Sequence, residues 1–193
     1  GQLGNGTTTT SLVAGPVVGG GVSRVVAGQS AAFFLKQDGS LWGMGRNTFG
    51  QLGVGSTANQ LTPVQVMTAV RDVALGERHA VVLKADGTVW TMGNNYYGQL
   101  GDGSTTQRTS PVGIAEYATA VAAGSYSTFY LAVTAPKIQQ GPVGRAAVVG
   151  ENVVLSVVAT GTPTLGYAWL KDGAPVVGAS AAMLTLPTVT AGA

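Results

Sequence analysis

Residues 73–103 read VALGERHAVVLKADGTVWTMGNNYYGQLGDG, and most of this stretch occurs more than once in the chain. Its Gly-Gln-Leu-Gly at Gly98–Gly101 repeats Gly50–Gly53 and Gly1–Gly4, at offsets of 48 and 49 residues. Its opening Val-x-x-Gly, Val73–Gly76, repeats Val25–Gly28 and Val121–Gly124, 48 residues apart each time. Between them Asp86–Gly93 copies Asp38–Gly45 as Asp-Gly-x-(Leu/Val)-Trp-x-Met-Gly, again at an offset of 48. Three independent markers sharing one period identify an internal repeat, which governs the reading of every local feature.

Within one period, Thr62–Met67, Val70–Gly76, His79–Lys84 and Thr88–Gly93 are short β-type runs, so each unit is predicted to hold four strands. Asp38-Gly39 and Asp86-Gly87 separate alternating apolar runs and read as two-residue hairpin turns with positive φ. Ala in place of Gly39 or Gly87 should then cost about 1 kcal/mol. A unit of this size buries too little surface to stand alone and is expected to stack on its copies. Trp42 and Trp90 occupy equivalent positions. Burying each against a neighbouring unit would remove about 200 Å² from water, at most about 5 kcal/mol. Four-stranded antiparallel units at this spacing are what β-propeller blades are made of.

The full pattern is Val-Ala-x-Gly-x-x-His, an apolar run, then Asp-Gly-x-Val-Trp-x-x-Gly-x-Asn-x-x-Gly-Gln-Leu-Gly-x-Gly. It resembles the regulator of chromosome condensation repeat, a family that builds seven-bladed propellers. The fullest copy is Val73 to Gly103, with His79, Trp90, Asn95 and Gly98–Gly101 in place; Ala31 and Ser127 stand at the His79 position of the other copies. The likeness covers residues 1–133. After Leu131 the expected Asp-Gly-x-Leu-Trp strand is replaced by Ala132–Pro136. The resemblance implies that the last blade of such an array is completed by strands from its N-terminal end. The chain is therefore expected to be a fragment of about two and a half blades, whose partners include the missing blades of its own longer chain. It is also expected to be poorly soluble or self-associating when isolated, because stacking faces are left bare.

From residue 134 the period vanishes. Val153, Leu155, Val157, Ala159, Gly161 and Pro163 alternate with other residues, followed by Tyr167-x-Trp169-x-Lys171-Asp172-Gly173 and Leu184-x-Leu186-x-x-Val189. Period-two alternation around one tryptophan predicts a β-sandwich. Residues 134–193 resemble an immunoglobulin-like domain of bacterial surface proteins. The resemblance implies that Trp169 is the core tryptophan of the third strand, that Lys171–Gly173 turns the hairpin after it, and that Val157 takes the place of the first cysteine. It also implies truncation at Ala193, before the last two strands. The expected fold class is all-β: a partial β-propeller followed by an incomplete immunoglobulin-like sandwich.

Composition narrows the function. Apolar residues make up 45% of 193 residues and charged ones only 9%, where roughly 25% charged is typical. A net charge of +2 with widely spaced Lys and Arg gives no phosphate-binding face, so no nucleic-acid partner is expected. Cys is absent, which removes disulfides, thiolate metal sites and cysteine nucleophiles. The uncharged run Tyr117–Pro136 is 20 residues long, the length of a membrane span. It aligns with charged segments of the earlier copies and is read as strands, with no membrane span.

No catalytic constellation emerges, so the chain is read as a non-enzyme without cofactor or metal. His79 is the single histidine and, as a repeat position, is read as structural. Gly39, Gly87, Trp42, Trp90 and Trp169 are read likewise. Asp102-Gly103-Ser104 has too few oxygen ligands for calcium, and Gly19–Gly21 is a loop rather than a phosphate cradle. Asn5-Gly6-Thr7 fits the glycosylation pattern but coincides with the repeat. The informative positions vary between matching copies: Arg46-Asn47-Thr48-Phe49 corresponds to Asn94-Asn95-Tyr96-Tyr97. Phe49, Tyr96 and Tyr97 are candidate binding residues, since loop aromatics on a rigid scaffold make partner contacts; packing of Phe49 and Tyr97 beneath the loop is the alternative. The expected function is a binding or adhesion module of an extracellular or cell-surface bacterial protein, with an unknown protein or glycan ligand. The alternatives are a regulator of a partner enzyme, like the family's guanine-nucleotide exchange factor or a propeller inhibitor of β-lactamases, and an accessory domain of a secreted enzyme.

Overall fold

The computed structural model describes residues 1–162 and 165–190, and among these none is helical. Pro163, the last position of the alternating run, and Ala193 lie outside the described residues. The chain divides into two compact units, Gly1–Ala132 and Val133–Ala193.

In the first unit, β1 (Val22–Ala27), β2 (Ala31–Lys36), β3 (Leu41–Gly45) and β4 (Gln60–Met67) form one antiparallel sheet in sequential order. A second sheet of β5 (Val70–Leu75), β6 (His79–Lys84), β7 (Val89–Gly93) and β8 (Arg108–Ala115) repeats it strand for strand at an offset of 48. A third begins with β9 (Ala118–Gly124) and β10 (Ser127–Ala132) at the same offset. The register irregularities recur too, at Val22/Arg24 and Val70/Asp72. The unit therefore holds two full four-stranded meanders and half of a third.

The phase of the repeat differs from the sequence expectation. The sequence spacing groups Thr62–Met67 with the three strands that follow it, but β4 pairs with β3 of the preceding sheet. The loop Arg46–Asn59 is long in sequence but returns on itself, bringing β4 back to β3. That hairpin completes a sheet locally, at no cost of a crossover.

The apolar core lies between consecutive sheets, as stacking requires. Phe33, Leu41 and Leu52 from the first sheet and its loop meet Val70, Val73, Val82 and Met92 of the second. Val81, Leu83 and Val89 meet Ala118 across the next gap. Arg24 and Asp72, equivalent positions on the first strands of neighbouring sheets, form an ion pair at 2.6 Å.

Trp42 and Trp90 occupy equivalent strand positions, but both are only half-buried, and Trp90 packs against the core shared by the first two sheets. The Nε1 of each indole donates to a hydroxyl two residues earlier, Ser40 or Thr88, at 2.9 Å. That hydroxyl donates in turn to Asp38 or Asp86 at 2.6 Å. The third residue of Asp-Gly-x-Leu-Trp is thus a hydroxyl because it bridges the turn to the ring. Hydrogen bonds from Ser40 and from Thr88 hold the Asp38 and Asp86 carboxyls below their usual range.

The Asp-Gly turns also depart from expectation. Lys36 N–H donates to Ser40 O, Gly39 N–H to Lys36 O, and only Gly39 has positive φ, at 78°. This is a three-residue loop closed by a left-handed glycine. Such a loop needs a positive φ only at its last position, so Asp38 keeps an ordinary φ, and its carboxylate caps the turn by accepting from Ser40 N–H and Oγ. The two-residue turn with both φ positive occurs instead at Asp172 (51°) and Gly173 (82°).

The second unit contains pairs β11 (Lys137–Gln140) with β13 (Val158–Thr160), β12 (Val153–Ser156) with β16 (Met183–Leu186), and β14 (Leu170–Lys171) with β15 (Ala174–Pro175). The alternating run from Val153 changes partner at Val157, so its two halves serve different sheets. Trp169 is half-buried and precedes β14 rather than lying within a strand; its Nε1 donates to Ala181 O at 2.8 Å.

Candidate protein-interaction loop surface

The loops after β3 and β7 emerge at the same end of their sheets as the β1–β2, β5–β6 and β9–β10 turns. Each long loop is organised by two buried amides. Asn47 Nδ2 donates to Ser56 O and Ala58 O while its Oδ1 accepts from Leu52 N–H at 2.9 Å. Asn95 does the same with Ser104 O and Leu100 N–H. Gln51 Oε1 accepts from Phe49 N–H at 3.0 Å, and Gln99 Oε1 from Tyr97 N–H at 2.9 Å. In the Gly-Gln-Leu-Gly signature the glutamine therefore fixes the aromatic position, Leu52 or Leu100 fills the core, and Gly50 admits neighbouring backbone. A Cβ on Gly50 would lie 2.7 Å from Thr109 Cα of the next sheet.

The second loop has a lock the first lacks. Asp102 accepts from Arg108 Nε at 2.6 Å, from Ser104 and from Asn95. Burial by itself would raise this carboxyl, but the bonds from Ser104, Arg108 and Asn95 prevail and hold it at about 2. Val54 and Gln60 stand at the corresponding places of the first loop. Among the described residues no cluster of acidic and histidine side chains forms a metal site.

On this frame the candidate aromatics fall into two kinds. Phe49 is half-buried, with the Arg78 guanidinium 4.8 Å and that of Arg46 5.8 Å from its ring centroid. Tyr96 and Tyr97 project into solvent, 74% and 68% exposed. Tyr97 meets Tyr126 edge to face at 5.4 Å, and Tyr96 meets Tyr97 at 4.9 Å. Tyr97 and Tyr126 are the counterparts of Phe49 and Arg78, so one inter-unit contact is made by a ring and a cation in one gap and by two rings in the next. Glu77 pairs with Arg78 at 3.1 Å. A hydrogen bond to Glu77 raises the Tyr126 phenol above its usual range. A cleft of about 370 Å³ lined by Tyr97, Gln99, Ile114, Tyr126 and Tyr130 opens beside the cluster.

Glu77, Arg78 and Tyr126 were missed in the sequence. The signal that singled out the long loops was present for them as well: Gln29-Ser30, Glu77-Arg78 and Ser125-Tyr126 differ between otherwise matching copies. His79 lies at the start of β6, almost wholly buried, and among the described residues neither ring nitrogen has a partner at good hydrogen-bond geometry. Its ring covers Gly76, where a Cβ would come within 2.3 Å of Nδ1. Burial lowers its pKa, which keeps the ring neutral.

The sequence matches the regulator of chromosome condensation (RCC1) repeat at residues 38–83 and 86–131. A second description of the same repeat matches at 22–51 and 70–99. Among solved structures, the chain resembles Prp20p from Saccharomyces cerevisiae, reported with its binding to Gsp1p and histones. The TM-score is 0.58 at 23% identity, covering 73% of this chain and 38% of that one. It resembles yeast RCC1 (Prp20) in the structure with Kap60 bound, at 0.51 and 25%, covering 58% and 30%. It also resembles human WBSCR16, at 0.56 and 20%, covering 84% and 39%. The chain thus spans between 30% and 39% of the length of these relatives. With the repeat matched from residue 22 to residue 131, more than half of the 193 residues, the chain belongs to the RCC1 repeat family of β-propellers.

Proposed function

We propose that this chain is a non-catalytic protein-binding module that contacts its partner through the loop surface carrying Tyr96, Tyr97 and Tyr126. One observation carries the reading: exposed rings stand on loops immobilised by buried amides and an ion pair. Such rings lose little conformational freedom on binding, and aromatic and arginine side chains contribute most at interfaces. The relatives support the class of ligand, because yeast Prp20 is described with protein partners in both of these structures, Kap60 in one and Gsp1p and histones in the other. A regulatory role toward a partner enzyme is one form this binding would take.

The wider setting belongs to the same proposal. We read residues 134–193 as an immunoglobulin-like domain and the protein as extracellular or cell-surface, on the pairing of a propeller with a second β unit of low charge. Surface proteolysis of intact cells tests the location.

The binding test places a photo-crosslinking residue at Tyr97 and, as control, at Lys171. Crosslinks to a protein partner from Tyr97, lost when Tyr96 and Tyr126 are both changed to Ser, are the expected result. Crosslinks from Lys171 alone would defeat the loop-surface reading.

A further inference from the structure

The two complete sheets are not identical around their tryptophans. Trp42 lies between Phe34 on one cross-strand side and Gln65 on the other, and the Phe34 ring stacks parallel to it, 6.3 Å between centroids. Trp90 lies between Val82 and Gly113. Glycine in place of Gln65 removes the side chain that would flank the indole; a Cβ there would sit 3.7 Å from the ring. A notch of about 310 Å³ opens, lined by Thr88, Trp90, Gly113, Ile114, Ala115 and Glu116. This is at the low end of the roughly 300–1,000 Å³ of ligand pockets. Glu116 stands where the first sheet has Thr68. Its carboxylate is exposed and makes no ion pair among the described residues. The Lys84 ammonium lies 5.8 Å from the Trp90 ring centroid.

These groups select a ligand by elimination. A cation would compete with Lys84 for the ring. An anion would meet Glu116. A wholly apolar molecule would strip water from the carboxylate without replacing its hydrogen bonds. A neutral ring with one apolar C–H face and several hydroxyls satisfies all three: the face lies on the indole and its hydroxyls donate to Glu116. We propose that the notch beside Trp90 binds a single neutral pyranose ring of a glycan. The notch lies at the end of β7 opposite the tyrosine loops, so the proposal is independent of the protein-binding surface.

The test follows the three indole N–H resonances of the full chain by NMR, with the Trp90 signal assigned from Trp90→Phe. Methyl glycosides of glucose, galactose, mannose and N-acetylglucosamine are titrated, with tetramethylammonium chloride as the cationic probe. At least one glycoside should shift the Trp90 signal and leave those of Trp42 and Trp169 in place, saturating in the roughly millimolar range expected of one ring in a shallow site. Gly113→Gln, which rebuilds the arrangement of the first sheet, should abolish the shift without changing the melting temperature. Glu116→Gln, an exposed change that leaves the notch open, should weaken binding severalfold. The proposal is overturned if no glycoside moves the Trp90 signal, if the shift survives Gly113→Gln, if Glu116→Gln binds as tightly as the parent, or if tetramethylammonium shifts Trp90 more than every sugar.

Discussion

Replacing Asp102 with Asn should destabilise the protein in a way that depends on pH. The carboxyl is held at about 2 in the folded chain against an ordinary 3.8. At ~1.4 kcal/mol per pKa unit, that difference corresponds to at most about 2.5 kcal/mol, and water screens part of the share from the half-exposed Arg108. The folded pKa lies below the unfolded one, so the contribution is complete above about pH 4 and disappears as pH falls through about 2. Urea melts of parent and Asp102→Asn should therefore differ by between 1 and about 2 kcal/mol at pH 7 and converge near pH 2. A site-resolved check is available within the molecule, because Asn47 anchors the first loop with no such charge. Protection of the Leu100 amide, which bonds Asn95, should fall on acidification more than that of Leu52, which bonds Asn47. An equal penalty at both pH values, or equal acid sensitivity of the two amides, would refute the assignment of the lock to the Asp102 charge.

Gly50→Ala should cost more than 3 kcal/mol in chemical denaturation, since its Cβ would strike Thr109 Cα and Arg108 O besides the strain of φ 72°. Gly103→Ala has a similar φ of 76° but open space around it and should cost about 1 kcal/mol; equal costs would remove the role given to close approach between sheets. Ala69, at φ 55°, should gain a few tenths of a kcal/mol on changing to Gly, the relieved strain slightly exceeding the added chain entropy; a fall in melting temperature would contradict this. Because burial lowers the pKa of His79, its neutral form stabilises the fold fully above the ordinary value of 6.5. Stability should therefore decline as pH falls below 6.5. Melting temperatures from pH 7 to 5 should show this decline in the parent, and it should flatten in His79→Ala.

The period of 48 residues, the all-β class, the number of strands per unit and the stacking of units were legible without coordinates. Each follows from spacing and from surface area, which repetition makes visible three times over. The organising residues were visible as letters but not as roles: nothing local says that Gln51 and Gln99 hold the backbone of an aromatic two positions earlier, or that the hydroxyls of Ser40 and Thr88 bridge a carboxylate to an indole. The pairing of Tyr97 with Tyr126 was hidden because its members lie 29 residues apart and meet only when two sheets stack.

What the sequence by itself determined is the repeat, since a periodic pattern of turns and apolar strands has few ways to bury its surface. Only the tertiary structure decided the phase of the sheets, the half-burial of Trp42 and Trp90 and the opening beside Trp90. A strand such as β4 has two edges on which its hydrogen bonds are equally well made. The choice between the sheet before it and the sheet after it is settled by how the Asn47 loop folds back, a contact between residues that the alternation of side chains does not encode.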